Sequence, residues 1–346
     1  MPAYVSRPLT VFGDHKVTTG EIADDIRAHH PDHPRLGAIL RVVGNCGVTT
    51  RHFTRPVDSP TVAGSAGIEE RATGAFEDAL SMAERAATGA LDAAGLAGED
   101  IDAIVTAHCT GWAVPNLDVR LMDRLNLRPT ARHIALTTLA CAGGVQALIR
   151  AADLVAARPG SKVLVVAAEV ISSVYSHRDT SIESMIYKAL FGDSAAATVV
   201  TSTPLEPGIA IEDTFEYVLP NSLDRYHGRI SADGFHFDST KKALNAADDV
   251  LPAVVDWFGP RRSDFAVIHP GSPRIIKDTA TALGLDDHAA RHSTATLSDE
   301  GNLGGVSVFR VLERTHGEPP ENEALGAAVA YGPGFTTAAL RCRWHA

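Results

Sequence analysis

Three residues in this chain have side chains suited to acyl transfer, and the first of them is Cys141. It lies between an apolar run at 133–136, which predicts a strand, and an apolar helix pattern over 145–157. A thiol at a helix start faces unpaired backbone N–H groups and the positive end of the helix dipole, which favour the thiolate. We therefore expect a nucleophile with a lowered pKa. The competing interpretation is a small buried hydrophobic residue, which free cysteine usually is.

His269 and Asn302 supply the groups that such a thiol needs. His269 follows a short apolar strand at 265–268, the kind of position where α/β proteins gather catalytic loops. A thiolate can attack a thioester with an imidazole as its partner. Imidazole and amide N–H groups can stabilise the oxyanion that develops on the thioester oxygen. Each residue also has a structural interpretation, as a packed histidine and as a helix-capping asparagine.

A weak internal repeat relates two of these positions. Cys-Ala-Gly-Gly-Val at 141–145 is matched by Asn-Leu-Gly-Gly-Val at 302–306, a separation of 302 − 141 = 161 residues, close to half the chain. The repeat predicts a duplicated α/β unit in which Cys141 and Asn302 are equivalent. If the halves pack about a pseudo-two-fold axis, both helix starts point into one central site.

The elements that must position these residues alternate along the chain. Apolar periodicity predicts helices over 72–94, 241–257 and 307–313, and strands over 101–107, 162–168 and 325–330. Strands that alternate with helices indicate an α/β architecture.

Composition excludes several classes of protein. The 346 residues are 45% hydrophobic and 21% charged, and the formal charge of −11 argues against nucleic-acid binding. We find no stretch of membrane-spanning length and no signal peptide, so no membrane role is expected. Its four cysteines, without metal-type spacing, predict a cytoplasmic protein with reduced thiols, no disulfide and no metal site; they are Cys46, Cys109, Cys141 and Cys342.

Over residues 35–340 the chain resembles the type III polyketide synthases, the chalcone synthase-like branch of the thiolase fold. The matching segments are 109–118, 139–144, 189–197, 234–237, 268–273, 297–305 and 331–334. Bacterial members that make alkylpyrones and alkylresorcinols are the most similar type. The resemblance implies an α/β, thiolase-like fold of duplicated α-β-α-β-α layers. It also implies an N-terminal half at 1–205 with the nucleophile and a C-terminal half at 206–346 with the histidine and asparagine.

The resemblance further implies a triad of Cys141, His269 and Asn302. In that family the cysteine takes an acyl starter from coenzyme A, and the other two residues promote decarboxylation of a malonyl-type thioester and stabilise its enolate. We expect an aliphatic starter, a pyrone or resorcinol product and a homodimer. No bound cofactor is expected, because coenzyme A thioesters are the substrates.

The family pattern also assigns residues around the triad. Expected gatekeepers, pocket-lining residues and cyclisation-loop residues are Phe191, Phe235, Cys109, Ile171, Val174, Gly304, Gly332 and Pro333. By analogy Val114 reaches into the partner's cavity, whereas Glu169 and Asp193 are structural carboxylates. Only Arg41, Arg51 and His52 stand near the expected coenzyme A phosphates, which leaves an acyl carrier protein open as donor. The negative net charge disfavours that acidic partner.

Three other functions compete with this prediction. A ketoacyl synthase III-like enzyme would use the same triad for one condensation or an acyl transfer, but its relatives usually carry His-Gln-Ala-Asn where residues 269–272 read His-Pro-Gly-Ser. A papain-like hydrolase also uses Cys, His and Asn in this order, although its Cys-Gly-Ser-Cys-Trp signature is absent. The intact triad argues against a non-catalytic binding protein.

Overall fold

The structure, a computed structural model, describes residues 2–232, 234–286 and 288–346, and the backbone alone at positions 241 and 244. The strands of the N-terminal half are β1 Ala3–Val5, β2 Leu9–Phe12, β3 His15–Thr18, β4 Thr50–Phe53, β5 Ala103–His108, β6 Arg132–Thr137, β7 Val163–Glu169 and β8 Ser194–Thr201. Those of the C-terminal half are β9 Gly208–Val218, β10 Tyr226–Ser231, β11 Gly234–Ser239, β12 Phe265–Ile268, β13 Leu325–Gly332 and β14 Thr336–His345.

Helices alternate with these strands. They are α1 Thr19–His29, α2 Leu36–Gly44, α3 Pro60–Ala63, α4 Ile68–Ala94, α5 Leu117–Arg124, α6 Gly143–Ala157, α7 Ile182–Leu190, α8 Ala246–Phe258, α9 Pro273–Ala282, α10 Arg291–Glu300 and α11 Ser307–Gly317. Short 3₁₀ turns lie at Gly98–Asp100, Ala140–Ala142, Ile171–Val174, Lys241–Asn245, Gly304–Val306 and Pro333–Phe335.

The sheet topology confirms the predicted duplication. The main sheet runs β12-β13-β14-β9-β1-β8-β7-β5-β6, with β2 paired to β8. In the N-terminal half β5 is parallel to β7, which is antiparallel to β8, which is antiparallel to β1. The series β12, β13, β14 and β9 repeats these directions, and an antiparallel β1–β9 pair joins the two halves.

Helix packing gives the five layers that the resemblance implies. Helix α4 covers β7 and β8 on one outside face, and α8 covers β14 on the other. Between the two parts of the sheet, α6 contacts β5 and β7 as well as β13 and β14, and α11 packs against α6. The central core therefore consists of apolar residues from both halves, among them Val145, Phe309 and Ala328. The fold is the α/β, thiolase-like architecture expected from the sequence.

The local predictions differ from the structure mainly at element ends. The predicted helix over 241–257 is a 3₁₀ turn followed by α8, which begins at Ala246. Helix α4 begins at Ile68 rather than 72 and ends at Ala94, because the following Gly95, with a φ of 66°, stops the helix. The predicted division at 205/206 falls in the loop between β8 and β9 and stays a prediction.

One described helical segment, Ala140–Ala157, is long and apolar enough to cross a membrane by length and composition alone. It comprises α6 with its preceding turn, and 67% of it is buried inside the fold. Its hydrophobicity is therefore explained by its place between the two parts of the sheet.

Candidate active site

Cys141 sits in a sharp turn between the end of β6 and the start of α6. Two non-glycine residues in this turn have left-handed backbone, Thr138 with φ 63° and Ala140 with φ 46°. Such conformations cost about 1–3 kcal/mol each and persist only where surrounding structure enforces them. The turn holds the Cys141 side chain at the centre of the molecule, where it is 7% exposed.

Asn302 is clamped in place between α10 and α11. Its backbone N–H donates to Leu190 O at 2.9 Å, and its carbonyl accepts from the Gly192 N–H at 3.0 Å. Its side-chain Oδ1 accepts from the Gly304 N–H at 2.9 Å, which leaves the NH₂ group to donate elsewhere. The carboxamide lies close enough to the Cys141 thiol to lower the pKa of that thiol. The structure thus brings these two residues together.

His269 directly follows β12, and its backbone N–H donates to Val329 O on β13 at 2.8 Å. Strand β13 also contacts the Ala140–Ala142 turn, so His269 belongs to the same central region. Burial lowers the pKa of His269 to about 3, which keeps the ring neutral. Within the described residues its Nδ1 has no hydrogen-bond partner, and no hydrogen bond joins it to Cys141.

The expectation of a lowered thiol pKa is wrong for this structure. Burial raises the pKa of Cys141 to about 12, and the nearby Glu169 carboxylate adds to the rise. Asn302 and the backbone oppose the shift without reversing it. The physical reason is that loss of hydration penalises the thiolate more than the helix start stabilises it. In this state the thiol and the imidazole are both neutral.

Glycines let the two halves meet at this centre. A Cβ on Gly144, at the start of α6, would lie 2.1 Å from Gly305 O in the equivalent turn of the other half. A Cβ on Gly332 would lie 2.7 Å from Leu139 O, so the predicted cyclisation loop packs against the nucleophile turn. Pro333 begins the following 3₁₀ turn.

A buried carboxylate, Glu169, organises the wall beside the thiol. Its Oε2 accepts from the Cys109 N–H at 3.2 Å and from the Cys109 thiol at 3.4 Å. Burial raises the pKa of Glu169. Gly304 lies next to it, because a Cβ there would be 3.2 Å from both Glu169 Cγ and Ile171 Cδ1. Cys109, Gly304 and Ile171 therefore do lie together, as expected from the family pattern.

Aromatic rings enclose the other side of the site. Phe191 pairs with Asn302 in an isolated parallel bridge, and its ring centroid is 6.5 Å from Phe237 and 5.6 Å from Tyr187. Tyr226 packs against both Tyr187 and Phe237, at 6.2 and 5.9 Å. Burial raises the pKa of Tyr226. We call Tyr187, Phe191, Tyr226 and Phe237 the aromatic group.

The gatekeeping role assigned to Phe235 stays a prediction, and the structure draws attention to a neighbouring phenylalanine. Phe237, not Phe235, lies beside Phe191 and lines the adjoining cavity together with Ile171 and Val174. Both phenylalanines lie on the same face of β11, so the period of a strand cannot distinguish them. The register of β11 against β10 distinguishes the two residues. Phe237 pairs with Gly228, which leaves room for the Phe237 ring, whereas Phe235 pairs with Ile230.

The two arginines proposed for the carrier phosphates have different environments. Arg51 is fully buried and donates to Thr19 Oγ1 at 2.8 Å and to the Ala189 carbonyl, so it cannot reach a carrier phosphate and that assignment is wrong. Burial lowers its pKa to about 10. Arg41 is exposed on α2, and Val114 is 78% exposed in the loop before α5.

Sequence reasoning missed Tyr187, Tyr226 and Phe237. Tyr187 and Phe191 are four residues apart on and after α7, a helical spacing that could have suggested a shared face. Tyr226 and Phe237 come together only through the pairing of β10 with β11.

Comparison with known proteins agrees with this fold and centre. Residues 49–204 match the family "Chalcone and stilbene synthases, N-terminal domain", and residues 210–344 match its C-terminal domain. The chain is 34% identical to 1,3,6,8-tetrahydroxynaphthalene synthase of Streptomyces coelicolor, covering 96% of this chain and 90% of that protein. It is 31% identical to phloroglucinol synthase of Pseudomonas fluorescens, covering 98% of both.

A solved structure gives the same result. Germicidin synthase from Streptomyces coelicolor, a type III polyketide synthase, superimposes with a TM-score of 0.94 at 29% identity, over 99% of this chain and 100% of that chain. The papain-like prediction is wrong, and these relatives do not favour the ketoacyl synthase III alternative. The chain therefore belongs to the chalcone and stilbene synthase family, and is a type III polyketide synthase, an acyltransferase that carries out decarboxylative condensation.

Proposed function

We propose that Cys141 is the nucleophile that accepts the starter acyl group and that His269 and Asn302 act on the thioester oxygens. The supporting observations are the effect of the Asn302 carboxamide on the pKa of the Cys141 thiol, which it lowers, and the burial of the His269 imidazole, whose lowered pKa, about 3, keeps it neutral.

Loading begins with two neutral partners. The thiol passes its proton to His269 as the sulfur attacks the carbonyl carbon of the acyl-coenzyme A. The tetrahedral intermediate then breaks its bond to the coenzyme A sulfur, which takes the proton back and leaves as a thiol. The products are acyl-Cys141, free coenzyme A and a neutral imidazole.

Condensation uses the same donors for a different anion. Malonyl-coenzyme A loses CO₂, and the electron pair of the broken C–C bond forms an enolate whose oxygen accepts hydrogen bonds from His269 and Asn302. A neutral imidazole donates such a bond without delivering a proton that would quench the carbanion. The enolate carbon attacks acyl-Cys141, and the cysteine sulfur leaves as a thiolate, ready for the next acyl group or a proton.

For the substrate, we infer a small, malonyl-derived starter and a polyhydroxylated aromatic product. The carrying observation is the aromatic group, four bulky rings in mutual contact of which Phe191 is paired with Asn302 and three line the adjoining cavity, so that bulky side chains occupy its wall. The names tetrahydroxynaphthalene and phloroglucinol denote aromatic rings without alkyl chains, in agreement with this inference. The aliphatic starter expected from the sequence becomes the alternative outcome of the test.

The test compares malonyl-coenzyme A alone with a mixture of malonyl- and octanoyl-coenzyme A, and identifies products by mass spectrometry. We expect polyhydroxylated aromatic products from malonyl-coenzyme A alone and no octanoyl-derived product in the mixture. Tyr187→Ala should admit the octanoyl chain, whereas Tyr217→Ala on β9, outside the aromatic group, should not. A heptyl-substituted pyrone or resorcinol, derived from octanoyl-coenzyme A, from the wild-type protein would contradict the small starter.

We also propose a homodimer formed through β6. This strand is the last of its sheet and pairs only with β5 within the described residues, so its outer edge is free. Trp112 and Val114, 72% and 78% exposed, lie in the loop between β5 and α5. An open strand edge beside apolar side chains favours association with a second copy. Light scattering should give twice 36.5 kDa, and Val114→Glu should shift the protein towards the monomer.

Coenzyme A remains our proposed acyl carrier, since the net charge of −11 should repel an acidic carrier protein. Arg41 is the exposed cation nearest in sequence to the expected phosphate region.

A cytoplasmic location agrees with four unpaired cysteines.

A further inference from the structure

Away from the acyl-transfer site, metal-ligating side chains from two distant segments meet beside α1. Asp25 and His29 lie one turn apart on α1, and His177 comes from the segment between the Ile171–Val174 turn and α7. Ligand atoms of these three residues lie within 4.8 Å of one another, and in the described part of the chain no other three such residues do so.

The two rings approach the same carboxylate. His29 Nδ1 lies 3.3 Å from Asp25 Oδ1, and His177 Nε2 lies 3.1 Å from Asp25 Oδ2. The rings are stacked, with centroids 3.6 Å apart. Zinc bonds of about 2.0–2.2 Å in a tetrahedral site put neighbouring ligand atoms about 3.3–3.5 Å apart. Each imidazole nitrogen therefore lies at about this distance from one oxygen of the Asp25 carboxylate, His29 from Oδ1 and His177 from Oδ2.

The second nitrogen of His177 is also engaged. Its Nδ1 lies 2.7 Å from the Tyr175 hydroxyl and 3.3 Å from His30 Nε2. Histidines that bind metals usually hold their remaining nitrogen in such a hydrogen bond, which fixes the tautomer and the ring orientation. Tyr175 and His30 would thus orient His177 with Nε2 towards Asp25.

A cation is already held by these groups. The Lys188 ammonium contacts the Asp25 carboxylate and lies 3.1 Å from His177 Nε2, and its side chain is buried. The lysine therefore shows that these donors bind positive charge, and it is the group that a metal must displace.

We propose that Asp25, His29 and His177 form a binding site for a divalent transition metal such as Zn²⁺, with Lys188 as an internal competitor. Two imidazole nitrogens and one carboxylate suit zinc and its neighbours, whereas Mg²⁺ and Ca²⁺ prefer oxygen donors. A bound metal would fasten α1 to the segment that carries Tyr175, which lines the cavity beside the aromatic group. The spacing of these residues along the sequence did not reveal the site.

The test is a Zn²⁺ titration of the full-length purified protein against a chromophoric chelator at pH 7.5. We expect one equivalent to bind, and His177→Gln to weaken its affinity by about tenfold or more, as removal of a metal-site partner does. Lys188→Met should strengthen the affinity, because it removes the competing ammonium. His288→Gln, at an exposed histidine of the other half, is the matched control and should bind like the wild type.

A thermal melt with and without Zn²⁺ provides a second measurement, since a ligand that binds only the folded state raises Tm. Zinc should raise the Tm of the wild type and leave that of His177→Gln unchanged. Asp25→Asn serves as a further ligand variant if Lys188→Met does not fold. Equal zinc affinity in the wild type and His177→Gln, or an unchanged affinity in folded Lys188→Met, would overturn the proposal.

Discussion

The two halves of the molecule bring equivalent junctions to one centre and place different residues there. Cys141 and Asn302 occupy matching turns before α6 and α11, and His108 and His269 stand, with the same separation along the chain, at the ends of β5 and β12. The histidine pair is the more informative, because the residue type is the same and only the surroundings differ.

His108 has both ring nitrogens engaged. Its Nδ1 donates to Ala168 O at 2.6 Å, and its Nε2 accepts from the Gly111 N–H at 3.0 Å. His269 has an Nδ1 without a partner among the described residues. The duplicated scaffold thus fixes where a histidine stands, and the hydrogen bonds around it decide whether the ring is available to a substrate.

The Cys141–Asn302 pair gives the largest expected effect. Cys141→Ala should lower product formation by more than about 10³-fold, since the nucleophile is lost, while malonyl-coenzyme A decarboxylation survives. Asn302→Ala should retain acyl-enzyme formation and lower decarboxylation by about 10²–10³-fold, the usual loss for one oxyanion donor. Intact-protein mass spectrometry measures loading, and release of labelled CO₂ measures decarboxylation. Identical failure of both variants at loading would contradict this division of roles.

The histidine pair sharpens the comparison directly. His269→Ala should lower decarboxylation by about 10²–10³-fold with little change in Tm. His108→Ala should instead destabilise the fold by about 2–4 kcal/mol, because two buried backbone groups lose their partner. Activity per folded molecule should stay within a few-fold in the His108 variant. Urea denaturation measures the stability of each variant, and labelled-CO₂ release measures its activity. A His108→Ala variant that is inactive but fully stable would contradict this prediction, because His108 would then have a catalytic role like that of His269.

The contact between the halves can be broken at Gly144. A Cβ there would overlap Gly305 O, so Gly144→Ala should cost more than about 3 kcal/mol of folding free energy. Gly317→Ala at the end of α11 is the matched control, because no atom lies within 4 Å of its added Cβ. A thermal melt of both variants checks this. Equal Tm values would mean that the two turns are less tightly packed than the structure indicates.

The protonation of the thiol gives the smallest effect. With the pKa of Cys141 raised to about 12, its thiolate fraction should rise about tenfold per pH unit between pH 6 and 10. Iodoacetamide alkylation followed by peptide mass spectrometry, with N-acetylcysteine as reference, measures the rate at Cys141 alone. A rate that levels off by pH 7 would instead support the lowered pKa that the sequence suggested.

Much of the site could be predicted from local patterns. Periodicity located α6, β12 and the turns around them, because a helix or strand imposes its repeat on neighbouring residues. The family segments then connected Cys141, His269 and Asn302 although they are far apart in the chain. Their catalytic roles stay predictions until the variants are measured.

The sequence by itself determined the alternation of elements, the duplicated halves and the residue types at their junctions, all of which follow from short-range pattern and composition. Only the tertiary structure decided that Cys141 is a protonated thiol, that Arg51 is buried and that Phe237 rather than Phe235 lies beside Phe191. It also brought His177 to Asp25. These properties depend on desolvation and on contacts between distant segments, which residue spacing does not encode.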